Sequence, residues 1–252
     1  MTIAGLTEIG TPELIRLLAA VETNTILVPL RNAELRGEGF APDALLAVLG
    51  DLDRVAVTRL LQAAVAERRL RPPPHLDLVW TGPEARGATT RDTAVLVAEL
   101  LAKAKRSVLI AGFSFDHGRD IFAPLHAAMQ ARQVVTEIFL DIEAASGSTT
   151  SPTHVRDCAD KFLGRNWPFG PPFPTLYYDP RTATPGIYAS LHAKCLVVDA
   201  KWSLITSANF TNRGQTRNIE LGVLIEDGDF ATRVLAQWGS LVEAGLLEQV
   251  AR

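Results

Sequence analysis

The first part of the chain carries apolar residues at helical spacing. The apolar side chains of the first predicted helix lie three or four positions apart: Leu14, Leu17, Leu18 and Val21. Thr11-Pro12 is a typical helix start, in which we expect Thr11 to cap the helix and Pro12 to occupy its first position. Residues 51–69 repeat the spacing, and the prolines within 71–74 cannot continue a helix. The pattern predicts a helical N-terminal unit over residues 1–72.

From residue 73 onward, short apolar segments alternate with helical stretches, and we assign residues 73–252 to a second domain. Its predicted strands cover residues 76–80, 108–112, 134–141, 191–198 and 203–207. Its predicted helices cover residues 91–105, 121–131, 151–164 and 237–250. We expect loops at 144–150, which is rich in Gly, Ser and Thr, and at 165–186, which is rich in Pro. This alternation of strands and helices indicates an α/β fold.

Composition adds little to this picture. Hydrophobic residues make up 47% of the chain, charged residues make up 21%, and the net charge is −3, as in an ordinary globular protein without an overall nucleic-acid signature. The two cysteines, Cys158 and Cys195, are too few for a disulfide framework or a cysteine metal site, and we expect Cys195 to act as a small apolar filler. The sequence has no secretory signal pattern and no apolar run of membrane-spanning length, so we expect a cytoplasmic protein.

The most informative segment runs from residue 191 to residue 209. His192 and Lys194 lie two positions apart in a predicted strand, so their side chains are expected on the same face. Residues 199–202 form a plausible turn, and 203–207 return as a second strand. If the return is antiparallel, Ser207 and Asn209 can meet His192 and Lys194. An imidazole, a fixed cation, a hydroxyl and an amide together suit a phosphate diester as substrate.

The order and spacing of these residues resemble the phospholipase D superfamily. The pattern is H-x-K-x4-D, then a small residue and S-x-N, then Glu eleven residues after the Asn. The six matching residues, which form the predicted catalytic group, are His192, Lys194, Asp199, Ser207, Asn209 and Glu220. Thr206 departs from the pattern, because the family commonly has Gly before the Ser. The resemblance is strong over 187–226 and weaker over 81–142.

The resemblance implies a phospholipase D-like mixed β-sheet flanked by helices, here preceded by the small helical unit. Within the superfamily, the layout is most similar to the phospholipase D-like component of the DISARM antiphage system. The family reaction uses two such motifs, whereas none of the other four His residues of this chain has Lys two positions later. The resemblance therefore implies a C2 homodimer that brings two copies of His192 to one site.

The roles of the matched residues follow from this resemblance. One His192 would attack phosphorus and form a phosphohistidine, while the other would serve as acid and then as base. Lys194 and Asn209 would hold the nonbridging oxygens, and Ser207 would add a hydroxyl donor. Glu220 would accept a hydrogen bond from the second ring nitrogen of His192. Asp199 has the opposite strand parity, so we assign it to structural pairing within the motif.

We therefore predict a metal-independent phosphodiesterase without a cofactor, acting on DNA as a nuclease, in a phage-defence setting. Lys194 already supplies positive charge, and no His and carboxylate cluster has metal-ligand spacing. Arg213 and Arg217 either steer a polyanionic substrate or are ordinary surface charges. Two alternatives stay open: a lipid or other small phosphodiester as substrate, and a non-catalytic structural or regulatory subunit of an antiviral assembly. In the second alternative, the N-terminal unit would be the docking surface.

Overall fold

A computed structural model describes residues 6, 9–70, 74–83, 90–144 and 152–251. It divides into two compact units, Met1–Pro74 and His75–Arg252. Several sequence predictions lie outside the described residues: the prolines at 72 and 73, most of the predicted loop at 144–150, and the helix start at Ser151. Each unit is described by itself below.

The first unit is helical. Its helices are α1 (Thr11–Glu22), α2 (Asn32–Gly37), α3 (Pro42–Leu49) and α4 (Arg54–Arg69). One apolar core joins them, and it contains Leu14, Leu17 and Val21 from the predicted stripe. The predicted cap of α1 is wrong by one residue, because Gly10 occupies the cap position and makes no side-chain cap bond.

The second unit is built on one mixed sheet. The described strands are β1 (His75–Thr81), β2 (Arg91–Asp92), β3 (Ser107–Gly112), β4 (Val135–Leu140), β5 (Thr175–Tyr178), β6 (Cys195–Val198), β7 (Trp202–Thr206), β8 (Glu220–Glu226) and β9 (Glu248–Gln249). Their order in the sheet is β2-β1-β8-β7-β6-β3-β4-β5-β9. β3, β4 and β5 run parallel to one another, whereas β6, β7 and β8 form an antiparallel meander beside them.

Helices cover the two faces of this sheet unequally. They are α5 (Thr93–Lys103), α6 (Gly118–Arg132), α7 (Pro152–Asn166), α8 (Asn212–Thr216) and α9 (Gly228–Glu243). α5, α6 and α7 form the main core with one face, while α9 packs on the other face over β3, β4 and β6. This arrangement confirms the predicted α/β class with a mixed, helix-flanked sheet. In the described part of the chain, no helix is long and apolar enough to cross a membrane.

Two predicted elements differ from the structure. The C-terminal helix predicted at 237–250 is wrong: α9 begins after Asp227, whose side chain accepts from the Phe230 amide, and it stops before Gly245, which has a φ of 66°. The chain then enters β9 instead of continuing as helix. β5 lies inside the predicted loop at 165–186, because this short strand is fixed by pairing with β4 and leaves no periodic signal in the sequence.

Asp199 fixes the turn between β6 and β7. Asp199 and Ala200 adopt left-handed backbone conformations, with φ of 55° and 52°. The buried Asp199 carboxylate accepts from the backbone amides of Lys105, Arg106 and Ser107 at 2.7 to 3.1 Å. One side chain therefore ties the β6–β7 hairpin to the chain that enters β3.

We expect Asp199→Ala to lower the free energy of unfolding by about 3 kcal/mol, because the buried amides would lose their acceptor. Asp199→Asn keeps one acceptor oxygen and should lose less. Equilibrium unfolding in urea measures both differences. An Asp199→Ala chain as stable as the wild type would contradict the anchoring role.

Candidate active site

The predicted site residues approach one another where β6 begins and β7 ends. The predicted strand at 191–198 is too long, because only Cys195–Val198 is strand. His192 precedes it outside the sheet, and the Lys194 carbonyl still accepts from the Thr206 amide at 3.1 Å. The antiparallel return is confirmed, with Cys195 opposite Ile205. The two motif side chains are thus presented by a short segment at the edge of the meander and do not share a strand face.

Lys194 and His192 are in direct contact. The Lys194 ammonium lies 3.0 Å from Nδ1 and 3.1 Å from Nε2 of the His192 ring, and it donates to the His192 carbonyl at 2.9 Å. Lys194 is 8% exposed, whereas His192 is exposed. Burial lowers the pKa of the Lys194 ammonium, and the nearby Glu220 carboxylate partly opposes this shift. Phe113 packs on the pair: its ring centroid lies 4.7 Å from that of His192 and 5.4 Å from the ammonium.

Glu220 belongs to the site, but its expected contact is wrong. Among the described residues, its two carboxylate oxygens accept from the Ser207 hydroxyl and from the Asn218 amide, the latter at 2.9 Å, rather than from His192. Ser207 also accepts from the Leu221 amide at 3.1 Å. Glu220 therefore orients Ser207 and places a negative charge near Lys194, because β8 begins directly beside the end of β7.

Asn209 is held by tight backbone packing. Its Oδ1 atom is buried and has no hydrogen-bond partner in the described part of the chain. A Cβ on Gly214 would lie 2.6 Å from the Asn209 carbonyl oxygen, so α8 can pack this closely only with Gly at that position. The next residue, Phe210, stacks on Phe115 with ring centroids 5.6 Å apart. Asn209 thus presents an unsatisfied polar group beside the meander.

The remaining predicted residues are Asp199, Arg213 and Arg217. Asp199 sits at the opposite end of β6, about 16 Å along the strand from Lys194 at 3.3 Å per residue, and its inclusion in the catalytic group is corrected. The strand parity that assigned it to structural pairing gave the right role. Arg213 and Arg217 lie in and just after α8, are exposed, and form no ion pair with any residue that the structure describes.

Sequence reasoning missed three residues at this site: Phe113, Asn218 and Asp141. Phe113 contacts His192 only through tertiary structure, whereas Asn218 lies two residues before Glu220 in the sequence. Asp141 follows β4 directly and accepts from the Leu191 amide at 2.6 Å. Its place after a buried strand was a usable signal, since the C-terminal ends of parallel strands gather at one edge of a sheet.

No group of three or more His, Cys, Asp or Glu side chains within the described ranges is arranged to hold a metal ion. The Cys195 thiol is buried, and burial raises its pKa to about 11, as suits an unreactive packing residue.

The unusual Thr206 is matched by a glycine on the neighbouring strand. Gly222 lies opposite Thr206, and a Cβ on Gly222 would lie 2.9 Å from the Thr206 Cβ. The Thr206 hydroxyl accepts from the Ala208 amide at 3.0 Å and so fixes the turn between Ser207 and Asn209. The side chain that replaces the common Gly therefore stabilises the turn that carries two site residues.

We expect Gly222→Ala to lower the free energy of unfolding by about 2 kcal/mol through overpacking against Thr206. In a Thr206→Gly background, the same substitution should cost less, because one of the clashing side chains is gone. A double-mutant cycle of urea unfolding energies measures this coupling. Additive effects would show that the two positions are independent.

Comparisons with known proteins agree with this geometry. The family model described as "Cardiolipin synthase, PLD-like domain" matches residues 97–241. The DISARM protein DrmC of Bacillus paralicheniformis is 27% identical over 150 residues, which is 60% of this chain and 56% of that protein. The chain thus spans about half the length of this curated relative.

The solved structure of NucT agrees with this fold. NucT from Helicobacter pylori aligns with a TM-score of 0.50 and 19% identity, covering 71% of this chain and all of that one. A phospholipase D family member, Nuc from Salmonella typhimurium, aligns over the same share of this chain with a TM-score of 0.46 and 22% identity. Since the family model covers more than half of the sequence, including the whole predicted site, the chain belongs to the phospholipase D-like domain family.

Proposed function

We propose that this protein is a phosphodiesterase that cleaves DNA without a metal, through a phosphohistidine at His192, in a site completed by a second copy of the chain. The observation that carries the proposal is the contact between the buried Lys194 ammonium and the His192 imidazole. Membership of the phospholipase D-like family supports phosphodiester chemistry at this pair.

The reaction proceeds in two displacements. A ring nitrogen of His192 attacks phosphorus, so an N–P bond forms as the P–O bond to the leaving oxygen breaks. His192 of the second copy donates a proton to that oxygen. The same imidazole, now neutral, takes a proton from water as the water oxygen attacks phosphorus. The N–P bond then breaks, and both imidazoles return to their starting states.

The other residues stabilise charge on the transferred phosphoryl group. Lys194 donates to a nonbridging oxygen, and the low polarity around its buried stem strengthens this interaction. The side-chain NH2 of Asn209 supplies a second donor to the nonbridging oxygens. Glu220 fixes the Ser207 hydroxyl and balances the Lys194 charge.

The proposed DNA substrate and the proposed defence role each have one support. Arg213 and Arg217 are exposed close to Asn209 and Glu220 along the chain and would attract a polyanion. The similarity to DISARM protein DrmC favours a role in phage defence. This similarity covers 60% of this chain and 56% of the relative, so assembly with other defence proteins is part of the proposal.

The second copy is required because the chain carries one motif. A surface that suits a partner lies beside the site, on the face of β1, β7 and β8 that α9 leaves uncovered. Its side chains are aliphatic and 36% to 69% exposed: Leu76, Leu78, Ile205, Ile219 and Leu221. Strand register places all of them except Ile219 on one face, since Leu78 and Ile205 both lie opposite Val223; Ile219 directly precedes β8.

We expect a second copy of the chain to cover this apolar face. Contiguous exposed aliphatic side chains on a sheet are typical of protein interfaces. The face continues onto α9, whose Val234, Leu235 and Trp238 are only partly buried. Residues Ser207 and Glu220 lie at its margin, so a twofold axis through this face would bring two half-sites together.

We expect the wild-type protein to cleave DNA in excess EDTA and His192→Asn to lose at least about 1,000-fold in rate, because the nucleophile is removed. A gel assay with single- and double-stranded DNA measures this, with a phosphatidyl substrate run in parallel. Cleavage abolished by EDTA would overturn the metal-free mechanism. Cleavage of the lipid alone would replace DNA as substrate, and inactivity on both would favour the non-catalytic alternative.

We expect Leu78→Glu to yield a monomer with no measurable turnover, because the charge would have to be buried in the interface. Val95→Glu is the matched control: Val95 is 56% exposed on α5, away from this face, so the variant should stay dimeric and active. Analytical ultracentrifugation and the DNA assay measure both properties. A fully active wild-type monomer would refute the shared site.

A further inference from the structure

A carboxylate from another part of the chain binds the backbone of the segment that carries His192. Asp141 directly follows β4, and its Oδ1 accepts from the Leu191 amide at 2.6 Å. Leu191 is buried, and the next residue is His192. Because residues 191–194 precede the first residue of β6, most of this segment lacks the ladder hydrogen bonds that would fix a strand. The bond to Asp141 therefore anchors the backbone one residue before the imidazole.

Besides the packing of Phe113 on the His192 ring, few other contacts restrain this segment. On its C-terminal side, the Lys194 carbonyl accepts from the Thr206 amide. On its N-terminal side, the Thr182 hydroxyl donates to the Ile142 carbonyl at 2.8 Å. Within the described part of the chain, Asp141 is the only side chain from another element that hydrogen-bonds the backbone of residues 191–194. This bond thus helps to fix the backbone that carries the imidazole.

The surroundings of Asp141 match this role. Burial raises the pKa of its carboxyl group, and the neighbouring carboxylates of Glu143 and Asp179 raise it further. The Leu191 amide and the nearby His192 side chain act in the opposite direction and lower the pKa of Asp141. Glu220, the carboxylate that the motif assigns to His192, instead binds Ser207 and Asn218.

We propose that Asp141 is the positioning residue for His192, and that it acts by fixing the Leu191 backbone so that the imidazole faces the phosphoryl group. The inference rests on the proposed function, in which His192 is the nucleophile. A nucleophile that shifts by about 1 Å can lose about 100-fold in rate, whereas substrate binding through other residues is unaffected.

Two substitutions separate anchoring from charge. Asp141→Ala removes the acceptor, and kcat for DNA cleavage should fall about 100-fold while KM changes less than about threefold. Asp141→Asn keeps an acceptor oxygen, and kcat should stay within about fivefold of the wild type. Glu143→Gln is the matched control: it removes a neighbouring exposed carboxylate that makes no bond to Leu191, and it should leave both constants unchanged. An active Asp141→Ala, or an Asp141→Asn as impaired as Asp141→Ala, would overturn the proposal.

Amide hydrogen exchange tests the anchor independently of turnover. The Leu191 amide should exchange slowly in the wild type and in Asp141→Asn, and much faster in Asp141→Ala, while the Thr206 amide stays protected in all three. This second protected amide shows that the Ala variant is folded. If the wild type cleaves no phosphodiester, the proposed function fails, and Leu191 exchange together with the His192 imidazole resonances still decides whether Asp141 fixes the segment. Unchanged exchange in Asp141→Ala would refute the anchor.

Discussion

The buried ammonium of Lys194 is the constraint around which this end of the sheet is organised. A cation with so little exposure is costly unless polar groups surround it. Here the His192 carbonyl and ring lie in contact, the Phe113 ring lies alongside, and the Glu220 carboxylate supplies opposite charge. Because Glu220 opens β8 and Lys194 directly precedes β6, this charged group links two strands of the meander.

The elements with strong local patterns were predictable from the sequence. The buried strands near 108–112 and 134–141 and the antiparallel return after residue 198 agree with the structure to within a few residues. The extended C-terminal helix failed because apolar spacing continues past a glycine that turns the backbone. β5 was missed because it is a strand only through its neighbour β4. Local periodicity indicates which face of an element is buried, but it does not show which strands pair with each other.

The site divides in the same way. Motif spacing identified the residues, and strand parity gave Asp199 its structural role, but neither could assign hydrogen-bond partners. Glu220 reaches Ser207 because two strand ends meet, and Asp141 reaches Leu191 across fifty residues of sequence. The sequence also could not predict that Gly222 makes room for the Thr206 side chain, since the two residues are neighbours only in the sheet. The local sequence therefore identifies the residues of the candidate site, whereas the orientation of their side chains depends on tertiary contacts.

The Asp199 anchor also sets the order in which this protein is completed during synthesis. The carboxylate binds amides that precede it by more than ninety residues, and the hairpin it closes pairs with β3 from the early part of the domain. A nascent chain must therefore retain an accessible β3 edge until the last quarter of the polypeptide leaves the ribosome. Contacts of such long sequence separation form late, after local helices. An unfinished chain consequently lacks the β6–β7 hairpin, which carries the candidate site.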